Sequence, residues 1–119
     1  MAQMYFEDIE VGYAIETDFA EITKDRIVIF AHLTGDVNPL HIDEEAAKNG
    51  PLGKIVSHGL LTVSVAVGQL YSHNLLSGMV LRQFDEISFY RPVFAGDSIQ
   101  SRFVVVGKDA YFKNIKGKD

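Results

Sequence analysis

Gly59-Leu-Leu-Thr-Val-Ser-Val-Ala-Val-Gly-Gln-Leu-Tyr-Ser72 is apolar on nearly every side and is interrupted only by Thr62, Ser64 and Gln69. Its β-branched residues are compatible with a buried pair of strands, but its length without a turn signal favours a helix. A helix that is apolar all round must be covered by other structure. The stretch therefore predicts a buried helix with the rest of the domain wrapped around it.

Two shorter helices are predicted upstream of this stretch. Thr23 is a candidate N-cap for the first, which Gly35 ends, and the apolar residues between them recur at helical spacing: Ile27, Phe30, Ala31 and Leu33. Asp43 is a candidate N-cap for the second, over residues 44–48, before Asn49-Gly-Pro51 breaks the chain. Both helices lie between the first strand and the long apolar stretch.

Three segments have the composition of strands. Residues 13–22 alternate in polarity, as do residues 97–106, and residues 80–94 are rich in aromatic and β-branched side chains. Gly96-Asp97 predicts a hairpin between the last two, and Pro92 suggests an edge or a bulge because proline cannot donate to a ladder. The order predicts an α+β fold in which an antiparallel sheet curls around one helix. Three strands are too few to wrap a helix of about four turns, so further strands must come from elsewhere.

Length and composition restrict the class of protein. A chain of 119 residues with 47% hydrophobic content predicts one domain over residues 1–119. It has no stretch of 18 apolar residues and no signal-like N-terminus, and it contains no cysteine, so we expect a cytoplasmic protein without disulfides. The net charge of −5 argues against general nucleic-acid binding. The lysines between Lys113 and Lys118 are read as a solvated end.

Asp36-Val-Asn-Pro-Leu-His41 carries the first candidate chemistry. Pro39 fixes its own φ and disfavours the helical region for Asn38, so we expect Asp36 and His41 to lie across a short rigid turn rather than along a helix. Ser57-His-Gly59 then supplies backbone amides at the start of the long helix. A carboxylate and an imidazole that share one water can move protons, and a free helix-start amide can receive an oxyanion.

Three motifs follow one another along the chain: Phe30-Ala-x-Leu-Thr-Gly-Asp-x-Asn-Pro-Leu-His-x-Asp43, then Ile55-Val-Ser-His-Gly59, then Phe89-x-Arg-Pro-Val-x-x-Gly-Asp97. In content and order they resemble the MaoC-like dehydratase family of hot-dog proteins, the (R)-specific 2-enoyl-CoA hydratases. The resemblance covers about residues 6–106. It implies a hot-dog fold, a homodimer or higher oligomer, and an acyl-CoA thioester as substrate, with water as the second substrate and neither cofactor nor metal.

The resemblance also assigns roles to residues. Asp36 and His41 match the proton-transfer pair of the family, without an assignment of acid and base. The amide of Gly59 matches the group that polarises the thioester carbonyl, and Asn38 matches a residue that shapes the pocket. Relatives usually continue beyond the position of Val106 with two more strands, whereas residues 107–119 are all that remain here. The resemblance thus implies a shortened sheet, or one that a partner chain completes.

Four further residues are candidates for the site. In some hydratases a serine further along the central helix supports the catalytic aspartate, and Val67 stands at that position, which makes Ser64 the candidate substitute. Ser57 is expected to cap the long helix. His58 either positions the helix start or simply packs, and Arg91 either pairs with a CoA phosphate or is an exposed strand residue.

Other functions remain open at this stage. His41-x-Asp43 resembles half of a facial iron triad with His58 as a third ligand, although Asp43 is better explained as a helix cap. The enzyme alternatives are a dehydratase that acts on acyl carrier protein and a hot-dog thioesterase, and the second is disfavoured by the hydratase-type turn. The non-enzymatic alternative is a catalytically weak acyl-CoA-binding subunit.

Overall fold

The computed structural model describes residues 5–72 and 80–108. After a short 3-10 turn at Phe6–Asp8, the strands are β1 (Ala14–Glu16), β2 (Ala20–Glu21), β3 (Ser98–Ile99) and β4 (Arg102–Val104). Between β2 and β3 lie four helices: α1 (Lys24–Thr34), α2 (Pro39–Ile42), α3 (Glu44–Asn49) and α4 (Gly59–Tyr71). This order of elements confirms the predicted α+β class.

The strands form one antiparallel ladder with an interruption at its centre. β1 pairs with β4, with Ile15 opposite Phe103, and β2 pairs with β3, with Ala20 opposite Ile99. At the interruption the hydroxyl of Thr17 accepts the amide of Ser101 at 2.9 Å, in place of a backbone carbonyl. The predicted strand over residues 13–22 therefore exists as two short strands, and its partner is the predicted strand over residues 97–106.

The predicted strand over residues 80–94 is wrong. Within this range the structure has only an isolated bridge between Phe94 and Val56, and residues 80–92 are exposed. The turn at Gly96 is real, with φ of 94°, and Asp97 donates its amide to the carbonyl of Phe94 at 2.9 Å. It leads from that bridge into β3, so the predicted hairpin between two strands is also wrong. Pro92 lies outside any strand.

Local signals explain where the first helices begin and end. The hydroxyl of Thr23 accepts the amide of Arg26 at 3.1 Å, and Gly35 ends α1 in the left-handed conformation at φ 86°. One carboxylate oxygen of Asp43 accepts the amides of Glu45 and Ala46 at 3.0 and 3.2 Å. The predicted caps of α1 and α3 are thereby confirmed.

The core lies between the ladder and the helices. It consists of a buried apolar cluster: Ile22, Ile27, Ala47, Ile55 and Leu61. The predicted long helix is confirmed as α4, which enters this cluster through Leu61 and Val65. It is less buried than predicted, because Leu61 is its one buried residue and Leu60 on its other side is 61% exposed, so the described residues cover one side of the helix and do not enclose it. Gln69 joins α4 to the ladder, because its amide donates to the carbonyl of Ile99 at 3.2 Å.

Some predictions fall outside the described residues. They concern the lysine-rich end from Lys113 to Lys118 and the question whether residues 109–119 add to the sheet. Within the described ranges, none of the helices combines the length and apolarity that a membrane span requires. A cytoplasmic location stays a prediction.

Candidate active site

Asp36 follows directly on the left-handed glycine that ends α1. Its amide donates to the hydroxyl of Thr34 at 3.3 Å, and its side chain is exposed. Because the reversal at Gly35 turns the chain away from the helix axis, Asp36 leaves α1 toward the start of α4. There its backbone carbonyl accepts a hydrogen bond from Nε2 of His58 at 2.9 Å.

His41 lies on the short helix α2, where the sequence predicts a rigid turn. Asn38 caps this helix by accepting the amide of Leu40 at 3.0 Å, and Pro39 occupies its first turn. An Asn cap followed by Pro favours the start of a helix, so the prediction of a turn is wrong for Pro39–Ile42. Nδ1 of His41 lies 2.6 Å from the carbonyl oxygen of Val56. Because a carbonyl only accepts, Nδ1 carries the proton and Nε2 keeps a lone pair.

The start of α4 differs from the prediction that Ser57 caps it. The hydroxyl of Ser57 donates to the carbonyl of His58 and shares a hydrogen bond with the hydroxyl of Thr62, each at 3.1 Å. The N-cap residue is His58, and no side chain in residues 5–72 and 80–108 caps the first amides of α4. The predicted role of Ser57 as a cap is therefore wrong, and the amide of Gly59 lies at a helix start without a competing side-chain acceptor.

The first two motifs bring a carboxylate and two imidazoles together. A carboxylate oxygen of Asp36, a ring nitrogen of His41 and one of His58 all lie within 4.8 Å of one another. One water can bridge polar groups at such separations. The rings of His41 and His58 are stacked, with centroids 3.7 Å apart and planes 24° apart. The geometry is compatible with Asp36 and His41 sharing a water.

These three residues are also the candidate metal ligands among the described residues. Each histidine donates one ring N–H to a backbone carbonyl, as metal-bound histidines often do. Asp43, which the facial-triad alternative required, is exposed and caps α3. The facial triad of His41, Asp43 and His58 is therefore not formed, and the expectation that the site uses no metal stays a prediction.

A pocket of about 700 Å³ surrounds this cluster. Six of the eight predicted site residues line it: Asp36, His41, Ser57, His58, Gly59 and Arg91. Aromatic side chains, Phe30 and Phe89 among them, form part of its wall, so that an apolar surface faces the polar groups. The structure thus places one predicted carboxylate, two imidazoles and a helix start around one cavity.

The other two predicted residues do not line this pocket. Asn38 acts as the cap of α2 and so positions His41 indirectly. Ser64 is exposed, and its hydroxyl donates to the carbonyl of Leu60 in its own helix at 2.7 Å. The idea that Ser64 supports Asp36 is therefore wrong for this structure, because helical spacing carries it to another face of α4.

Phe89 and Thr62 are pocket residues that sequence reasoning did not assign to the site. A Cβ atom built on Gly59 would lie 2.8 Å from Cζ of Phe89, so the phenylalanine ring rests directly on the glycine. In the sequence, Phe89 could have been assigned to the site because it is the first residue of the third motif. The composition of residues 80–94 predicts only a strand residue at this position.

Comparisons with known proteins agree with the fold and the motifs. The family model described as "MaoC like domain" matches residues 9–119. A 3-hydroxybutyryl-CoA dehydratase from Methylorubrum extorquens is 35% identical over 102 residues, which are 86% of this chain and 64% of that protein. The chain therefore spans somewhat less than two thirds of that relative.

Two solved structures resemble this one over most of its length. A structure described as a monoamine oxidase regulatory protein from Archaeoglobus is 36% identical with a TM-score of 0.74, covering 84% of this chain and 69% of that one. An (R)-hydratase from A. caviae involved in PHA biosynthesis is 28% identical with a TM-score of 0.75, covering 87% and 77%. This likeness confirms the predicted hot-dog fold.

Proposed function

Because the chain belongs to the MaoC-like dehydratase family, we propose that it is a hydro-lyase that adds water to a 2-enoyl-CoA and forms an (R)-3-hydroxyacyl-CoA, or catalyses the reverse dehydration. One observation carries the proposal. A carboxylate oxygen of Asp36 and a ring nitrogen of His41 lie within 4.8 Å of each other, in a pocket that also contains the uncapped start of α4 at Gly59.

The reaction moves one water across a double bond. The water oxygen bonds to Cβ while His41 takes a water proton at Nε2, whose lone pair is free because Nδ1–H is held by Val56. The π electrons shift through Cα onto the thioester oxygen, and the Gly59 amide at the positive end of α4 holds that charge. A proton returned to Cα from the Asp36–His41 pair completes the addition. No electrons are exchanged, so the step needs no redox cofactor, and that it proceeds without a metal is part of the proposal.

The substrate class follows from the pocket and from the relatives. The aromatic wall at Phe30 and Phe89 suits an acyl chain, and Arg91 at the pocket offers a bidentate donor for a phosphate of CoA. An acyl carrier protein presents the same thioester, so a carrier-linked substrate is the enzyme alternative. Hydration of crotonyl-CoA beside crotonyl carrier protein separates the two.

We further propose that the chain acts as a homodimer or a higher oligomer. Several large apolar side chains are exposed between residues 80 and 90, among them Val80 at 88% and Tyr90 at 89%. Polar residues interrupt this segment, but so many exposed large apolar side chains in eleven residues are typical of an interaction surface. Sedimentation of the purified chain tests this, and a monomer at micromolar concentration contradicts it.

The decisive assay follows the loss of the enoyl absorbance of crotonyl-CoA and the configuration of the product. We expect hydration to the (R) product without release of free thiol, at a rate that a metal chelator leaves unchanged. Release of thiol at the rate of substrate loss identifies a thioesterase instead. Equal and negligible turnover by wild type and His41→Ala, with acyl-CoA still bound, identifies a binding subunit.

A further inference from the structure

His58 is a buried histidine that the proposed reaction does not use. It is 3% exposed and stands at the N-cap of α4. Its Nε2 donates to the carbonyl of Asp36 at 2.9 Å, and because that carbonyl only accepts, the ring proton is on Nε2. Nδ1 is buried without a hydrogen-bond partner among the described residues. The N–H at Nε2 is thus engaged with the backbone of Asp36, and Nδ1 meets no group among the described residues with which it could exchange a proton.

The same ring contacts three residues that lie far from His58 in the sequence. It holds the backbone of Asp36, stacks on His41 at 3.7 Å, and meets the ring of Phe30 at a centroid distance of 4.9 Å and a tilt of 59°. Through these contacts α1, the Asp36 loop, α2 and α4 meet at one side chain. A shift of this imidazole would therefore move Asp36 and His41 relative to each other.

From this geometry we propose that His58 is a positioning residue for the Asp36–His41 pair, and that it neither binds substrate nor transfers a proton. This goes beyond the prediction that His58 either positions the helix start or simply packs, and it rests on the proposed function. The hydrogen bond fixes where the Asp36 backbone lies, and the stack fixes the plane of the His41 ring. Small displacements of positioned groups cost large factors in rate, so the site depends on this contact.

Variants at position 58 separate the two contacts. Glutamine can bring an amide N–H close to the position of Nε2, so His58→Gln retains the donor for Asp36 and loses the stack. His58→Phe retains a ring on His41 and loses the donor, while the shorter His58→Asn loses both. His32→Gln is the matched control, because His32 is exposed on α1.

The kinetic experiment measures kcat and KM for crotonyl-CoA across the pH range. We expect kcat to fall about tenfold in His58→Phe, because the loss of one hydrogen bond of about 1.4 kcal/mol corresponds to a factor of about ten in rate. KM should stay within about twofold of the wild-type value. His58→Gln should keep more activity than His58→Asn, and His32→Gln should match wild type. The shape of the pH–rate profile should be the same in every variant. A wild-type kcat in His58→Phe, or loss of one limb of the profile, overturns the proposal.

A second readout does not depend on turnover. Long-range ¹⁵N–¹H spectra of the folded chain should show His58 with its proton on Nε2, and His58→Phe should shift the resonances of Asp36 and of the His41 ring. A proton on Nδ1, or unchanged resonances of Asp36, contradicts the positioning role. If wild type hydrates neither crotonyl thioester, the proposed function fails while this spectroscopic test still decides the positioning role.

Discussion

Replacing Gly59 by alanine tests how closely the site is built around the start of α4. The new Cβ would lie 2.8, 2.9 and 3.1 Å from Cζ, Cε1 and Cε2 of Phe89, whereas carbon atoms attract best at about 3.5–4.0 Å. Phe89 must therefore move. Phe89 is 57% exposed, and the contacting atoms lie at the far end of its flexible side chain. The ring can therefore rotate outward at small cost.

The expected effects on stability and activity differ. Gly59 is not among the glycines with positive φ, so alanine suits its backbone, and the gain in helix propensity offsets the lost packing of Phe89. We expect the free energy of unfolding of Gly59→Ala to stay within about 1 kcal/mol of wild type. Because the methyl group and the displaced ring stand beside the amide that we propose receives the thioester oxygen, kcat/KM should fall about 10²-fold.

Gly68→Ala is the matched control on the same helix. A Cβ at Gly68 meets no heavy atom within 4 Å, so the substitution should raise the free energy of unfolding by about 0.5–1 kcal/mol and leave kcat/KM unchanged. The assays are urea denaturation and initial rates of crotonyl-CoA hydration. Wild-type kcat/KM in Gly59→Ala would refute the reasoning. In Gly59→Ala/Phe89→Ala the steric contact is gone, and we expect the activity loss to persist.

Three smaller predictions follow from single contacts. Gly35→Ala places a side chain at φ 86° and should cost about 1–2 kcal/mol in a denaturation experiment, and an unchanged midpoint would contradict the left-handed cap. Asp43→Ala removes the acceptor of two amides and should cost about 1 kcal/mol, most of which Asp43→Ser should restore, and equal loss in both variants would argue against the cap. Ser64→Ala should keep kcat within about twofold, whereas a tenfold loss would restore Ser64 to the site.

The helices were predictable because their signals are local. Thr23, Gly35 and Asp43 act on amides and carbonyls within a few residues, so a short window of sequence contains both partners. The helix α2 was missed although its signal, Asn38 before Pro39, is equally local. Proline disfavours the interior of a helix, and the prediction of a turn used only this effect. At the first helical position, which Pro39 occupies, proline favours a helix.

The strand over residues 80–94 could not be judged from its own composition. A segment rich in aromatic and β-branched residues forms a strand only if a partner lies alongside, and here the partner of β3 and β4 is the segment that contains β1 and β2. The second sheet contact at Phe94 is a single bridge to Val56. Strand pairing is set by long-range contacts that a local pattern does not contain.

The candidate site likewise combines residues that local motifs indicate with contacts that only the fold reveals. The motifs identified Asp36, His41 and Gly59, and the structure places all three around one pocket. The stack of His58 on His41 and the ring of Phe89 on Gly59 join residues far apart in the chain, and no spacing in the sequence indicates them. The proton positions on the two rings likewise follow from carbonyl partners at Val56 and Asp36, which only the fold reveals.

A double-mutant cycle on Asp36 and His41 tests the central claim most directly. If both side chains act on one water, each of Asp36→Ala and His41→Ala should lower kcat for crotonyl-CoA hydration by about 10²–10⁴, and the double variant should lose little more than the worse single variant. Losses that multiply in the double variant would show that the two groups act independently, and would contradict the account.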